Sequence, residues 1–189
     1  LGFDLSSQNA AVVGNGNVAM DLARILASPR DVLAATDIAE HALRALEGNG
    51  IREIHVLGRR GPAQAAFTNK ELKELGELPG VDVIVDPDAT KLDPLSKADV
   101  AAHPNRTRDR NLELLREYAQ RPPGDAPTKI FLHFLVSPVE IIGTERVEAL
   151  TIVHNELYES EDGSIRPRPT GRRTNLPMGL VFRAIGYQG

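Results

Sequence analysis

The sequence predicts an α/β fold: a parallel sheet with helices on both faces and an added antiparallel β-meander. Three observations predict it. The apolar run Ala10-Ala11-Val12-Val13 passes straight into Gly14-Asn15-Gly16 and then into a helical pattern. Strand-like and helix-like segments alternate through the first half of the chain, which argues parallel strands joined by right-handed crossovers. The second half is β-rich with short turns at Ser137-Pro138 and Gly143-Thr144, the pattern of a meander.

In order, residues 9–13 read as a buried strand, followed by a helix with Val18, Leu22, Ile25 and Leu26 on one face and Pro29 after its end. Residues 32–46 read as a second helix, with Ile38, Ala42, Leu43 and Leu46 at helical spacing before Gly48-Asn49-Gly50 breaks it. A strand at 53–57 meets the turn Gly58-Arg59-Arg60-Gly61-Pro62. Thr68 and Glu71 have capping-box spacing for a helix running to Leu78, and Pro79-Gly80 ends it before a strand at 81–85. Residues 86–97 read as a linker with Asp-Pro turns, and a polar helix spans about 108–118. Segments 129–136, 139–142, 147–155 and 180–184 are β-rich, with 158–175 a polar, arginine-rich, exposed excursion.

With 189 residues, 41% apolar and 25% charged, the chain is one domain or a little more, able to bury a core. Its 22 basic and 26 acidic residues give a net charge of −4, which offers no global attraction for nucleic acid or an anionic membrane. There is no cysteine, so disulfides, thiolate metal sites and cysteine catalysis are excluded, in keeping with a cytoplasmic protein. No apolar run approaches the roughly 20 residues of a membrane span. The chain starts without methionine and stops just after a strand-like run, which reads as a piece of something longer.

The chemistry concentrates in Gly14-Asn15-Gly16-Asn17-Val18-Ala19. Gly14 allows a tight turn, Gly16 lets the backbone approach a pyrophosphate, and Ala19 is small enough for the new helix to pack on the strand. The phosphates would sit at the N-terminus of the helix opening near Asn17, where N–H groups lack partners and the dipole favours anions. This is the dinucleotide cradle of a Rossmann-like fold. In NAD-binding units an acidic residue at the end of the second strand takes the ribose 2′-hydroxyl. Here that place holds Arg59 and Arg60, whose guanidinium forks match a 2′-phosphate. At about 1.5–3 kcal/mol per arginine, NADP would be preferred over NAD by roughly 10²–10⁴. The competing reading is a solvated Arg-Arg turn.

The stretches 14–24, 58–68 and 71–75, with Phe134-Leu135-Val136-Ser137-Pro138-Val139-Glu140-Ile141 and the closing Ile185-Gly186-Tyr187-Gln188-Gly189, resemble the NADPH domain of adrenodoxin-reductase-like, mycobacterial-type ferredoxin–NADP reductases. The resemblance covers essentially the whole chain. It implies that residues 1–189 form an NADP-binding domain inserted between two halves of an FAD domain that are absent here. It further implies that Asn15, Asn17 and Val18 line the pyrophosphate and nicotinamide-side pocket, and that Arg59 and Arg60 hold the 2′-phosphate. Glu71 would lie near the nicotinamide ribose and carboxamide. Asp21 would face a histidine of the flavin part and help organise hydride transfer. NADPH would reduce FAD, and the flavin would pass single electrons to a ferredoxin-type iron–sulfur protein, so the domain alone would bind without turnover.

Plainer roles stand beside these. Glu71 is also placed as the reciprocal partner of Thr68 in a capping box, and Asp21 could merely complement the helix dipole. The five histidines lack ligand spacing, and the strand-borne His55 and His133 read as structural. Arg106, Arg108 and Arg110 form a basic stripe that could dock an acidic ferredoxin or be an exposed charge cluster. An NADP-dependent dehydrogenase domain lacking its substrate part, or a non-catalytic NADP-sensing module, are the alternative functions.

Overall fold

The computed structural model describes residues 5–46, 48–122 and 124–186. Five strands make one wholly parallel sheet: β1 (Asn9–Val13), β2 (Glu53–Leu57), β3 (Val81–Val85), β4 (Thr128–His133) and β8 (Leu180–Arg183), in the order β3-β4-β2-β1-β8. A separate antiparallel sheet has the order β5-β6-β7, from β5 (Val136–Ile142), β6 (Ala149–Glu159) and β7 (Ile165–Pro177). The α/β class with a parallel sheet and a meander is therefore as the sequence predicts. In detail, β4 and β8 belong to the parallel sheet rather than to the meander, and the meander forms its own sheet.

Period-2 alternation decides what each face of the parallel sheet meets. Ala10, Val12, Ile54, Val56, Ile130 and Leu132 pack under helices α1 (Asn17–Ala27), α4 (Asn69–Gly76) and α6 (Arg106–Gln120) in one core. Ala11 and Leu57, one residue out of phase, pack against Val136, Leu150, Ile152 and Met178 of the small sheet in a second core. The small sheet thus rests on the parallel sheet where β1 and β2 lie side by side.

Several local expectations are corrected. The buried face of α1 is Ala19, Met20, Ala23, Leu26 and Ala27, whereas Val18 and Ile25 are exposed. Alanines at i, i+4 and i+8 let the helix approach the sheet closely, and that close approach rotates the larger Val18 and Ile25 outward. Residues 32–46 form two short helices, α2 (Arg30–Ala34) and α3 (Glu40–Leu46). The break comes where the Thr36 hydroxyl donates to the Leu33 carbonyl at 2.7 Å and competes with helix continuation. The expected linker contains helix α5 (Pro94–Ala102), started by Asp93 accepting from the N–H groups of Leu95 and Ser96, with Pro94 at the first helical position. The polar excursion is the exposed edge strand β7.

Candidate functional site

The connection order reverses at β1, whose neighbours β2 and β8 leave it on opposite sides. Ligands of open α/β sheets settle beyond the carboxyl ends of the strands at such a switch point, and the glycine turn lies there. Gly14 has φ +132°, and a Cβ on it would stand 2.3 Å from the Ala184 carbonyl oxygen, so the turn runs flush against the end of β8. The Gly14 N–H donates to the Leu57 carbonyl at 2.9 Å, tying the turn to β2. Gly16 is extended, and a Cβ there would meet nothing closer than the Ala66 Cβ at 4.0 Å. The protein itself makes no steric demand for glycine at 16. A ligand backing onto that surface would.

No side chain caps the N-terminus of α1, so its opening N–H groups stay available to an anion. The turn is zipped to the 66–68 segment. The Ala66 N–H donates to the Asn15 carbonyl at 3.2 Å, and the Thr68 N–H donates to Asn17 Oδ1 at 2.9 Å. These bonds bring the start of α4, and Glu71 with it, beside the glycine turn. Among the described residues, two polar atoms there are buried with no hydrogen-bond partner: Asn15 Nδ2 and Glu71 Oε2. Buried polar groups are nearly always paired, so an unpaired donor and an unpaired acceptor fit a polar ligand that the protein alone does not supply. Gly58 is open for the same amide, since a Cβ on it would lie 2.7 Å from Asn15 Nδ2.

Arg59 and Arg60 follow β2 after Gly58, beside the end of β1. Arg59 is exposed and Arg60 half-buried, and among the described residues neither guanidinium makes an ion pair or hydrogen bond. Their main chain is held instead. The Leu135 N–H donates to the Arg60 carbonyl at 3.1 Å, and Asn155 Nδ2 donates to the Arg59 carbonyl at 2.9 Å. Nothing in the sequence pattern pointed to Asn155.

The remaining candidates divide. Val18, 66% exposed, stands at the second position of α1. Asp21 lies beyond the first turn and pairs with Arg24 at 2.9 Å, and Arg24 reaches Glu74 at 3.2 Å; a helix-dipole role for Asp21 is therefore replaced by an ion-pair chain to α4. The capping box is not formed: Thr68 makes no side-chain cap, and the N–H that Glu71 would have reached goes to Asn17. The basic stripe is broken as well. Arg108 is 13% exposed and donates to Asp99, Val100 and His103, pinning α6 to α5. Arg110 pairs with Glu113 and Glu117, and Arg106 is exposed. His55 and His133 meet each other: His55 Nδ1 and His133 Nε2 are 2.9 Å apart, with Phe131 stacked on His55. Burial pushes both imidazoles down to about 4. Among the described residues no cluster could hold a metal ion and no helix is long and apolar enough to cross a membrane. The terminal Tyr187, Gln188 and Gly189 lie outside the described residues.

Fold and site together define a Rossmann-like α/β domain with a glycine turn at the switch point of its parallel sheet. No family model matches the chain. Individual relatives do. It is 47% identical over 186 residues to NADPH-ferredoxin reductase FprA of Mycobacterium tuberculosis, and 38% identical over 196 residues to the mitochondrial NADPH:adrenodoxin oxidoreductase of Bos taurus. The solved structure of Mycobacterium tuberculosis FprA in complex with NADPH superposes with a TM-score of 0.91 over 98% of the chain. The chain spans 40% of the length of FprA and 39% of the bovine protein. In sequence and fold the chain is similar, over almost its whole length, to one stretch of the adrenodoxin-reductase-like NADPH–ferredoxin reductases.

Proposed function

We propose that these residues form the NADP(H)-binding domain of a longer flavoprotein, a ferredoxin or adrenodoxin reductase, and that the domain positions NADPH for hydride transfer to FAD. The observation that carries the reading is the pair of orphaned polar atoms, Asn15 Nδ2 and Glu71 Oε2, beside a glycine turn whose helix end is uncapped. FprA is described in complex with NADPH, and NADPH is in the names of both relatives, which supports the same nucleotide here.

Each residue then has a task. The turn at Gly14 and Gly16, with the start of α1, receives the pyrophosphate. Arg59 and Arg60 bind the 2′-phosphate. Asn15 and Glu71 satisfy the polar groups of the nicotinamide half, and the exposed Val18 offers it an apolar surface. Asp21 orients the edge facing the flavin part. The chain's one glycine fingerprint is committed to NADP(H), so FAD belongs to segments outside these residues. When bound, FAD would take the hydride and release electrons singly to an iron–sulfur protein. This domain contributes binding and orientation, and none of its side chains need exchange a proton with substrate. Arg106 and Arg110, the outward members of the basic stripe, are the candidates for docking an acidic iron–sulfur partner.

Calorimetric titration with NADP⁺ and NAD⁺ side by side at low salt tests the reading. It expects a preference for NADP⁺ of about tenfold or more. Equal affinities would remove the arginines from the argument, and no binding of either to the flavin-loaded full-length protein would refute it.

A further inference from the structure

We infer that Asn155 is the positioning residue for nucleotide selectivity: from the neighbouring antiparallel sheet, its side-chain amide fixes the main chain from which Arg59 and Arg60 reach a 2′-phosphate. The inference rests on the NADP(H) reading above. Because among the described residues neither guanidinium is held by a partner, the backbone of the turn determines where the two forks start. Two of the bonds on that turn, Gly58 N–H to the His133 carbonyl at 2.9 Å and Leu135 N–H to the Arg60 carbonyl at 3.1 Å, are main-chain bonds. The bond to the Arg59 carbonyl comes from a side chain, and Asn155 supplies it.

The local fold is arranged to deliver that amide. Along β6, Leu150 and Ile152 face the parallel sheet, so strict alternation would send His154 there next. Asn155 therefore shares the other face with Val153, which is also buried, and with Ser137, the partner of Val153 on β5; the shift in β6–β7 pairing between Val153 and Asn155 puts its extra residues on β7 and leaves this alternation intact. Asn155 is 7% exposed. Its main-chain N–H donates to the Leu135 carbonyl at 2.7 Å, and Nδ2 also donates to Ser137 Oγ at 2.8 Å. Both amide hydrogens are thereby used, one on the arginine turn and one on β5, which locks the rotamer. Two residues on, Leu157 reaches the same turn: a Cβ on Gly61 would sit 3.6 Å from its Cδ1. Leu135, which connects β4 to β5 and receives the Asn155 N–H, has φ +55°, a conformation costly for leucine and retained because the surrounding bonds impose it. A rigid turn loses less freedom when the phosphate binds, so the amide raises affinity for the 2′-phosphorylated nucleotide through preorganisation.

The test is Asn155→Leu, similar in shape but without a donor, titrated with NADP⁺ and NAD⁺ against the wild type. NADP⁺ affinity falls about tenfold or more while NAD⁺ affinity stays within about twofold, so the ratio collapses. Ser137→Ala, which removes the other partner of the same amide, leaves the ratio within about twofold. If Asn155→Leu does not fold, Asn155→Ser, too short to span from Arg59 to Ser137, is read in the same way. Parallel weakening of both nucleotides, an unchanged ratio, or an equal shift in Ser137→Ala would each overturn the inference while leaving a selective wild type intact. A wild type indifferent to the 2′-phosphate would overturn the NADP reading itself, and this inference with it.

Discussion

The main-chain N–H of Thr68 donates to the Asn17 side-chain oxygen at 2.9 Å, joining the start of α4 to the start of α1 across 51 positions of sequence. This bond replaces the local capping box that the Thr68 and Glu71 spacing suggests, and it leaves Glu71 Oε2 buried and unpaired. A buried acceptor without a donor costs stability. Glu71→Gln is therefore expected to leave the nucleotide-free protein as stable or more stable by up to about 1 kcal/mol, while weakening NADP(H) binding. Urea denaturation paired with calorimetry checks both halves. A stability loss of the size of a missing helix cap would restore the capping role instead.

Gly14→Ala tests the seat of the turn. Its φ of +132° and the 2.3 Å approach of a Cβ to the Ala184 carbonyl oxygen combine backbone strain with a main-chain clash. The expected cost is about 2–4 kcal/mol, seen as a lowered denaturation midpoint together with loss of nucleotide binding. Gly16→Ala has room in the protein itself and is expected to keep stability while binding worsens.

Arg59→Ala and Arg60→Ala should each weaken NADP⁺ by about 1.5–3 kcal/mol and leave NAD⁺ nearly unchanged. Because the 2′-phosphate contact is charge-assisted and Arg59 is exposed, the preference should shrink as salt rises. Titrations at two ionic strengths decide this. A selectivity indifferent to both substitutions would return the pair to a solvated turn.

The parts of this architecture legible in the sequence are those written in local period and glycine chemistry. Strand β1, the turn at Gly14 and the arginines after β2 all stand at their expected positions. What was illegible depends on partners distant in sequence. Alternation marks β4 as a strand, but not that it slots between β2 and β3. Asn155 is one asparagine in a β-rich run until the fold brings it to the Arg59 carbonyl, 96 positions away in sequence. The buried face of α1 departs from the one its large apolar residues suggest because close packing on a sheet favours alanines. Helix α5 did carry a local signal, Asp93 before Pro94, which reads equally as a turn.

The stacked pair His55 and His133 predicts a pH dependence. Both have folded values near 4, below the ordinary value of 6.5, because burial disfavours the charged ring. Between those values the unfolded chain binds more protons than the folded one, so stability rises with pH across about 4 to 6.5 and is lost as pH falls through that window. Denaturation midpoints measured from pH 7 to pH 4 should decline. The decline should flatten in the double variant His55→Gln/His133→Gln, and an equally steep decline there would assign it to other groups.

Arg108 and Arg110 stand two residues apart on α6 and should behave oppositely. Arg108 is nearly enclosed, with Asp99 at 3.1 Å and the Val100 carbonyl at 3.1 Å, so Arg108→Ala removes one of the partners of Asp99 and the donor to two carbonyl groups at the junction of α5 with α6. The expected loss is about 2–3 kcal/mol of stability, with no specific effect on a partner. Arg110 lies on the surface among Glu113 and Glu117, whose charges offset its own, and its removal should change stability little. A docking role for this helix therefore has to be carried by Arg106 with Arg110. Arg106→Ala/Arg110→Ala in the full-length protein should slow reduction of an acidic iron–sulfur acceptor at low salt and match the wild type at high salt, since steering by exposed charges is screened. If the salt dependence is unchanged, the partner docks elsewhere.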